Sequence, residues 1–159
     1  MKLTRYDFTV LVERTGIAFD QLQRAAALVR ERTWMLQSDT GDPTDDIDEM
    51  TAVFTVAAHF LLDAGCAEAA IPNLLLLICH VQKLGRNPLK LPIAADVVTT
   101  NANAVVQIAD ASHVRWRIGS VNTPWTKVVG SRRRIEPDYA PRVVVAIDLG
   151  AMRDTVRGI

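Results

Sequence analysis

The stretch Tyr6–Arg32, YDFTVLVERTGIAFDQLQRAAALVRER, decides how this chain is read. Phe8, Leu11 and Val12 in its first half recur at helical spacing, as do Phe19, Leu22, Ala25, Ala26 and Val29 in its second. Between them Thr15-Gly16-Ile17 reads as a tight turn, with Gly16 where a chain leaving a helix turns through positive φ. The spacing predicts helices from Asp7 to Arg14 and from Asp20 to Arg32, with Asp20 as the N-cap of the second. Two helices joined across a glycine turn follow the helix-turn-helix plan.

Downstream of this pair, Trp34, Met35 and Leu36 continue the apolar thread and are expected to tuck under the helices. Ser38–Glu49, SDTGDPTDDIDE, is a solvated loop ending in a helix start capped by Thr44, Asp45 or Asp46. A third helix from Asp46 to Ala64 carries a wide apolar stripe, with Gly65 just beyond its end. A fourth starts near Ala67 and runs to Gly85. Leu74–Ile78 are apolar on every side, so this helix should be the most enclosed element.

From Arg86 the character changes. Asn87-Pro88 and Leu91-Pro92 break any helix, and β-branched residues then come in short runs. The pattern predicts strands at Ala95–Thr99, Ala104–Ile108, Val114–Ile118 and Arg142–Ile147, and a further one at Thr126–Val129. Ala109–Ser112 closes a hairpin, and Asp148 caps a final helix from Leu149 to Arg157. The expected fold class is α+β: a helical, helix-turn-helix-like domain over residues 1–86 and a small β-rich α+β module over 87–159.

Composition narrows the function classes. An apolar fraction of 49% in 159 residues is ample for a core without disulfide staples, and two cysteines, Cys66 and Cys79, fit a reducing compartment. The longest apolar run, Leu74–Cys79, falls well short of the ~20 residues needed to cross a bilayer. The N-terminal residues lead into no signal-peptide core, so the reading is a cytoplasmic protein with no membrane partner. Net charge is zero but unevenly divided: residues 1–80 hold 6 Lys+Arg against 12 Asp+Glu, and residues 81–159 hold 12 against 6.

With this order of elements, the first half resembles the MerR-like helix-turn-helix proteins, short regulators of bacteria and their phages. The resemblance rests on FTVLVERTGIAFDQLQRAAALV at Phe8–Val29 and DIDEMTAVFTVAAHFLLDAGCAEAAI at Asp46–Ile71, and it covers about half the chain. In that family a reading helix is followed by a wing and then by a helix; Asp46-Ile47 and Leu62-Asp63-Ala64-Gly65 hold corresponding places here. Two departures stand out. Val12 occupies a position where such modules most often carry alanine, and Ser38–Glu49 has no Lys or Arg for a wing to lay on a phosphate backbone.

The resemblance implies a reading helix at Asp20–Glu31 whose groove-facing residues are Gln21, Gln23, Arg24 and Arg30, since Gln pairs with adenine and Arg with guanine or phosphate. It also implies double-stranded DNA as partner, a homodimer and transcription regulation without catalysis. The alternative from another class is a protein–protein interaction module of phage or mobile-element origin, with a degenerate helix-turn-helix and its acidic half as the binding surface. A second basic surface comes from the residues alone. Alternation puts His113, Arg115 and Arg117 on one strand face and Trp116 on the other, while Arg132, Arg133 and Arg134 follow in a predicted loop. Such arginines equally protect a solvated edge strand. His59, His80, Cys66 and Cys79 lack metal-ligand spacing, and no phosphate-binding glycine loop, H-E-x-x-H or nucleophile elbow occurs. No catalytic residue, metal or cofactor is assigned, and the chain is not read as an enzyme.

Overall fold

A computed structural model of the chain describes residues 4–30, 46–72, 74–75, 104–110, 112–118, 121–122, 124–129 and 132–159. The expected Trp34–Leu36 thread, the Ala95–Thr99 strand and most of the loop at Ser38 and of the fourth helix lie outside the described residues.

The chain opens with a short strand, β1 (Arg5–Asp7), that leads directly into α1 (Phe8–Thr15). Asp7 caps α1 by accepting a hydrogen bond from the Val10 amide at 2.9 Å, satisfying an amide the first helical turn leaves without a partner. Gly16 ends α1 with φ 70°, and its amide closes on the Val12 carbonyl at 2.9 Å. The second helix, α2, spans Phe19–Arg30. Asp20 therefore sits in its first turn instead of capping it. It lies there near the positive end of the helix dipole.

Before the third helix the chain forms a strand that the apolar pattern did not announce. β2 (Asp46–Asp48) pairs antiparallel with β1, Tyr6 opposite Ile47, and so ties the start of α3 to the start of α1. Asp48 follows as the cap of α3 (Glu49–Asp63), accepting from the Thr51 amide at 2.7 Å, so α3 starts later than Thr44, Asp45 or Asp46 would have set it.

Met50–Ala58 are all buried, which makes α3 the enclosed helix among the described residues. It packs on α2 through the alanines of both helices: Ala25 and Ala26 on one, Ala52, Ala57 and Ala58 on the other, each 0–1% exposed. Gly65 follows at φ 84°, then a 3₁₀ turn at Glu68–Ala70 where a continuous helix was expected from Ala67.

The second half is an antiparallel sheet of β3 (Ala104–Asp110), β4 (His113–Ile118), β6 (Trp125–Val129), β7 (Arg132–Glu136) and β8 (Val145–Asp148), with two-residue β5 (Val121–Asn122) paired to β4. The strands run β7-β6-β4-β3-β8 in space. Arg132–Arg134, expected in a loop, form most of edge strand β7 and pair with Lys127–Val129. After β8, Asp148 caps α4 (Leu149–Arg157) by accepting from the Ala151 amide at 2.9 Å.

One continuous core joins both halves, running from Leu11, Leu22 and Phe54 to Val106, Ile108, Val114, Ile147 and Val156. α4 packs against α1, α3 and β3. Its last turn is also tied to the helical half by polar groups. Arg14 donates to the Val156 carbonyl at 2.6 Å and lies over the Tyr6 ring, while Arg157 donates to buried Glu49. Burial, then the negative charge of Glu49, holds the Tyr6 phenol above its ordinary range.

Candidate nucleic-acid interface

The amphipathic spacing of α2 decides which of its side chains face outward. Leu22, Ala25, Ala26, Leu28 and Val29 go into the core, and the rotation of about 100° per residue then leaves Gln21, Gln23, Arg24 and Ala27 exposed. Arg30 is half-buried at the end of the helix. Of the residues assigned to groove contact, Gln23 and Arg24 share the outer face with Ala27, while Gln21 is exposed in the first turn about 160° round the helix from Gln23. This face is polar apart from Ala27.

Its electrostatics are less simple. Arg24 Nε donates to Glu68 Oε2 at 3.1 Å, from the 3₁₀ turn after α3, and this bond followed by the charge of Glu68 raises the guanidinium pKa further. Arg5 is similarly engaged with Asp46, at 3.1 Å. Asp20 and Glu13 are exposed nearby in sequence. A phosphate approaching α2 therefore meets an arginine that already has an anionic partner, and it competes with Glu68 for it.

The second assigned surface is the outer face of the large sheet. β4 puts Val114 inward, fully buried, and His113 and Arg115 outward. Arg115 lies with its guanidinium carbon 4.3 Å from the centre of the Trp125 ring, and its Nε donates to Gln107 at 2.6 Å. Its two terminal nitrogens have no partner among the described residues. Arg134 is exposed on β7, directly across from Lys127. Arg117 is paired with Val105 and Arg132 with Val129; the side chains of Arg117, Arg132, Arg133 and Trp116 lie outside the described residues.

The same face carries a constellation that the sequence reading did not assemble. A register shift between Ile108 and Asp110 inserts Ala109 as an extra residue and brings Asp110 opposite His113. His113 Nδ1 is 2.8 Å from Asp110 Oδ2, and its Nε2 is 3.0 Å from Glu136 Oε2 on β7. Tyr139 donates its hydroxyl to Asp110 at 2.6 Å and stacks on the imidazole, 3.7 Å between ring centres and 2° from parallel. Lys127 stands 3.6 Å from the other Glu136 oxygen.

Burial disfavours the Asp110 charge, but hydrogen bonds from Tyr139, His113 and the Ser112 amide outweigh it and hold the carboxyl at about 2. The His113 hydrogen bond likewise lowers Glu136 against partial burial, and the bond to Asp110 raises Tyr139. The i,i+3 pair Asp110–His113 across a hairpin was a usable signal in the sequence. Glu136 and Tyr139 are too distant along the chain for spacing to join them.

Cys66 is half-buried with a free thiol, while Cys79 and His80 lie outside the described residues. Among the described residues no three His, Cys, Asp or Glu side chains converge as metal ligands would, and no helix is long and apolar enough to cross a membrane. Comparison of the chain with family models, curated proteins and solved structures finds no match.

Proposed function

We propose that the protein is a DNA-binding regulator in which α2 reads a major groove, without catalysis. The observation that carries the reading is the arrangement of α1, the left-handed Gly16 turn and α2, whose exposed residues include Gln21, Gln23 and Arg24. Two further features support it. β2, at the end of the stretch where the MerR-like resemblance puts a wing, pairs with β1 ahead of α1 and so brackets this unit. α3, buried from Glu49 to Ala58, then backs α2 and supports a reading helix in a fixed pose.

A single reading helix binds weakly, and a symmetric pair placed in successive major grooves binds operators with two-fold symmetry. A homodimer is therefore part of the proposal. Ile135 on β7, and Val143 and Val144 leading into β8, are exposed at the two edges of the sheet and offer apolar surface for that pairing. Arg115 and Arg134 on the outer sheet face, with Arg117, Arg132 and Arg133 on the same strands, would add phosphate contacts.

The Arg24–Glu68 pair favours a second reading, the protein–protein interaction module, because it and Asp20 give the α2 face an anionic component that duplex DNA repels. Titration of the full chain with mixed-sequence duplex and with DNA from upstream of its own gene, across salt, separates the two. The regulator reading expects tight, salt-sensitive binding to one fragment. It expects Gln23→Ala to lose roughly 1–3 kcal/mol of base discrimination, and Arg24→Ala to reduce the logarithmic salt slope by about 0.9. Absence of binding at low salt would leave the interaction module standing.

A further inference from the structure

We propose that His113 is the latch of a proton-sensitive strap: residues 137–142 are held over the outer sheet face while the ring bridges Asp110 and Glu136, and they loosen when the ring loses its second proton.

Both ring nitrogens meet carboxylate oxygens, at 2.8 and 3.0 Å, and both can donate at once only in the imidazolium form. The strap begins at Glu136, turns through Pro137 and Asp138 with the Tyr139 amide bonded to the Glu136 carbonyl at 3.3 Å, and lays Tyr139 flat on the imidazole. Pro137 and Pro141 bracket the tyrosine and limit the shapes this segment can take. The strap covers Trp125, whose ring meets Tyr139 edge-on at 5.7 Å and Arg115 on its other contact, leaving Trp125 only 3% exposed.

Two anchors hold the strap, and His113 touches both. The first is Glu136, held by Nε2 and by Lys127. The second is Tyr139, held by Asp110 and by stacking on a cationic ring, which an electron-rich phenol face favours. Asp110 also accepts from the Ser112 and His113 amides, so it is the better-fixed carboxylate and retains the proton on Nδ1. A neutral ring therefore turns a bare Nε2 lone pair toward Glu136, loses that bond and weakens the Tyr139 stack in the same event. Of the other charges around the network, Lys127 stays with Glu136, Arg115 stays over Trp125, and Arg134 and Asp138 are exposed. None of them replaces the lost donor. What opens is the Trp125–Arg115 surface, so exposure of the basic sheet face becomes pH-dependent. This holds whether or not α2 binds DNA.

The test is fluorine NMR of the full chain carrying 5-fluorotryptophan, with the resonance of Trp125 among the three tryptophans assigned by Trp125→Phe. The sample is titrated from about pH 5 to about pH 9, the range in which histidine switches, while the His113 ring proton is followed directly. The expected result is that the Trp125 resonance moves toward a solvent-exposed shift with the same midpoint as the ring. His113→Ala should give the exposed shift at every pH. Glu136→Gln should give the covered shift at every pH, because an amide side chain can accept from a protonated Nε2 or donate to a bare one. A Trp125 resonance that ignores the ring's titration would overturn the proposal. So would a Glu136→Gln variant that titrates like the parent.

Discussion

Replacing Gly16 with alanine isolates the conformational demand of the turn on which α1 and α2 depend. Gly16 sits at φ 70° and ψ 6°, where an L side chain is strained, yet a Cβ built there meets nothing within 4 Å. Sterics from the surroundings add nothing, so the cost is the left-handed backbone alone, about 1–2 kcal/mol. In a chain of this size that lowers Tm by about 2–4 °C per kcal/mol.

Gly65, at φ 84° and equally open, supplies an internal control expected to cost the same. Asparagine at position 16, whose short polar side chain tolerates this region, should recover part of the loss. Urea unfolding of the three variants, read as a shift in midpoint at constant m, gives the comparison. A loss above about 4 kcal/mol at Gly16 would mean that the added carbon clashes after all. No loss at all would mean that the turn is not left-handed, and the account of how α2 is aimed would fall with it.

Other perturbations reach different parts of the account. Glu68→Gln removes the anionic partner of Arg24 and, if α2 contacts phosphate, should tighten DNA binding at a given salt concentration without changing the number of phosphates contacted; an unchanged affinity would place Arg24 away from the backbone. Phe54→Ala, at a fully buried position on α3, should cost about 3–5 kcal/mol in urea unfolding, and a loss under about 1 kcal/mol would deny α3 its central place.

Asp110 is depressed from 3.8 to about 2, so the stability it contributes is complete above its unfolded value and is lost as pH falls through that interval. Its side chain is 44% exposed, and solvent screening limits the contribution to about 1 kcal/mol. Stability measured against pH from about 5 down to about 2 should therefore fall less steeply in Asp110→Asn than in the parent chain. Identical slopes would remove Asp110 from the network.

Much of the helical half was legible in residue order. The cap at Asp148 and the positive-φ glycines at 16 and 65 follow from short-range chemistry, and each is where the spacing put it. The β3–β4 hairpin and the outward set of His113 and Arg115 likewise follow from alternation. What was not legible depends on pairing across long separations. β1 and β2 are three residues each, too short for a periodic signal, and exist because each satisfies the other's backbone. Arg132–Arg134 read as loop because charge dominates their composition, yet on an edge strand charge is what keeps the edge from pairing with another sheet.

The candidate site divides in the same way. Gln21, Gln23 and Arg24 were assigned to groove contact by the MerR-like resemblance, and all three side chains are exposed on α2. The engagement of Arg24 by Glu68 spans 44 positions along the chain, and the His113–Glu136 bond spans 23. Neither has a local signature, and each changes what its surface can do.

The most direct test of the central claim is amide NMR of the full chain bound to the duplex it prefers. The account predicts that the largest shift changes fall on Gln21, Gln23, Arg24 and Ala27 of α2. Changes confined to Arg115, Lys127 and Arg134 on the sheet, or none with any duplex at low salt, would contradict it.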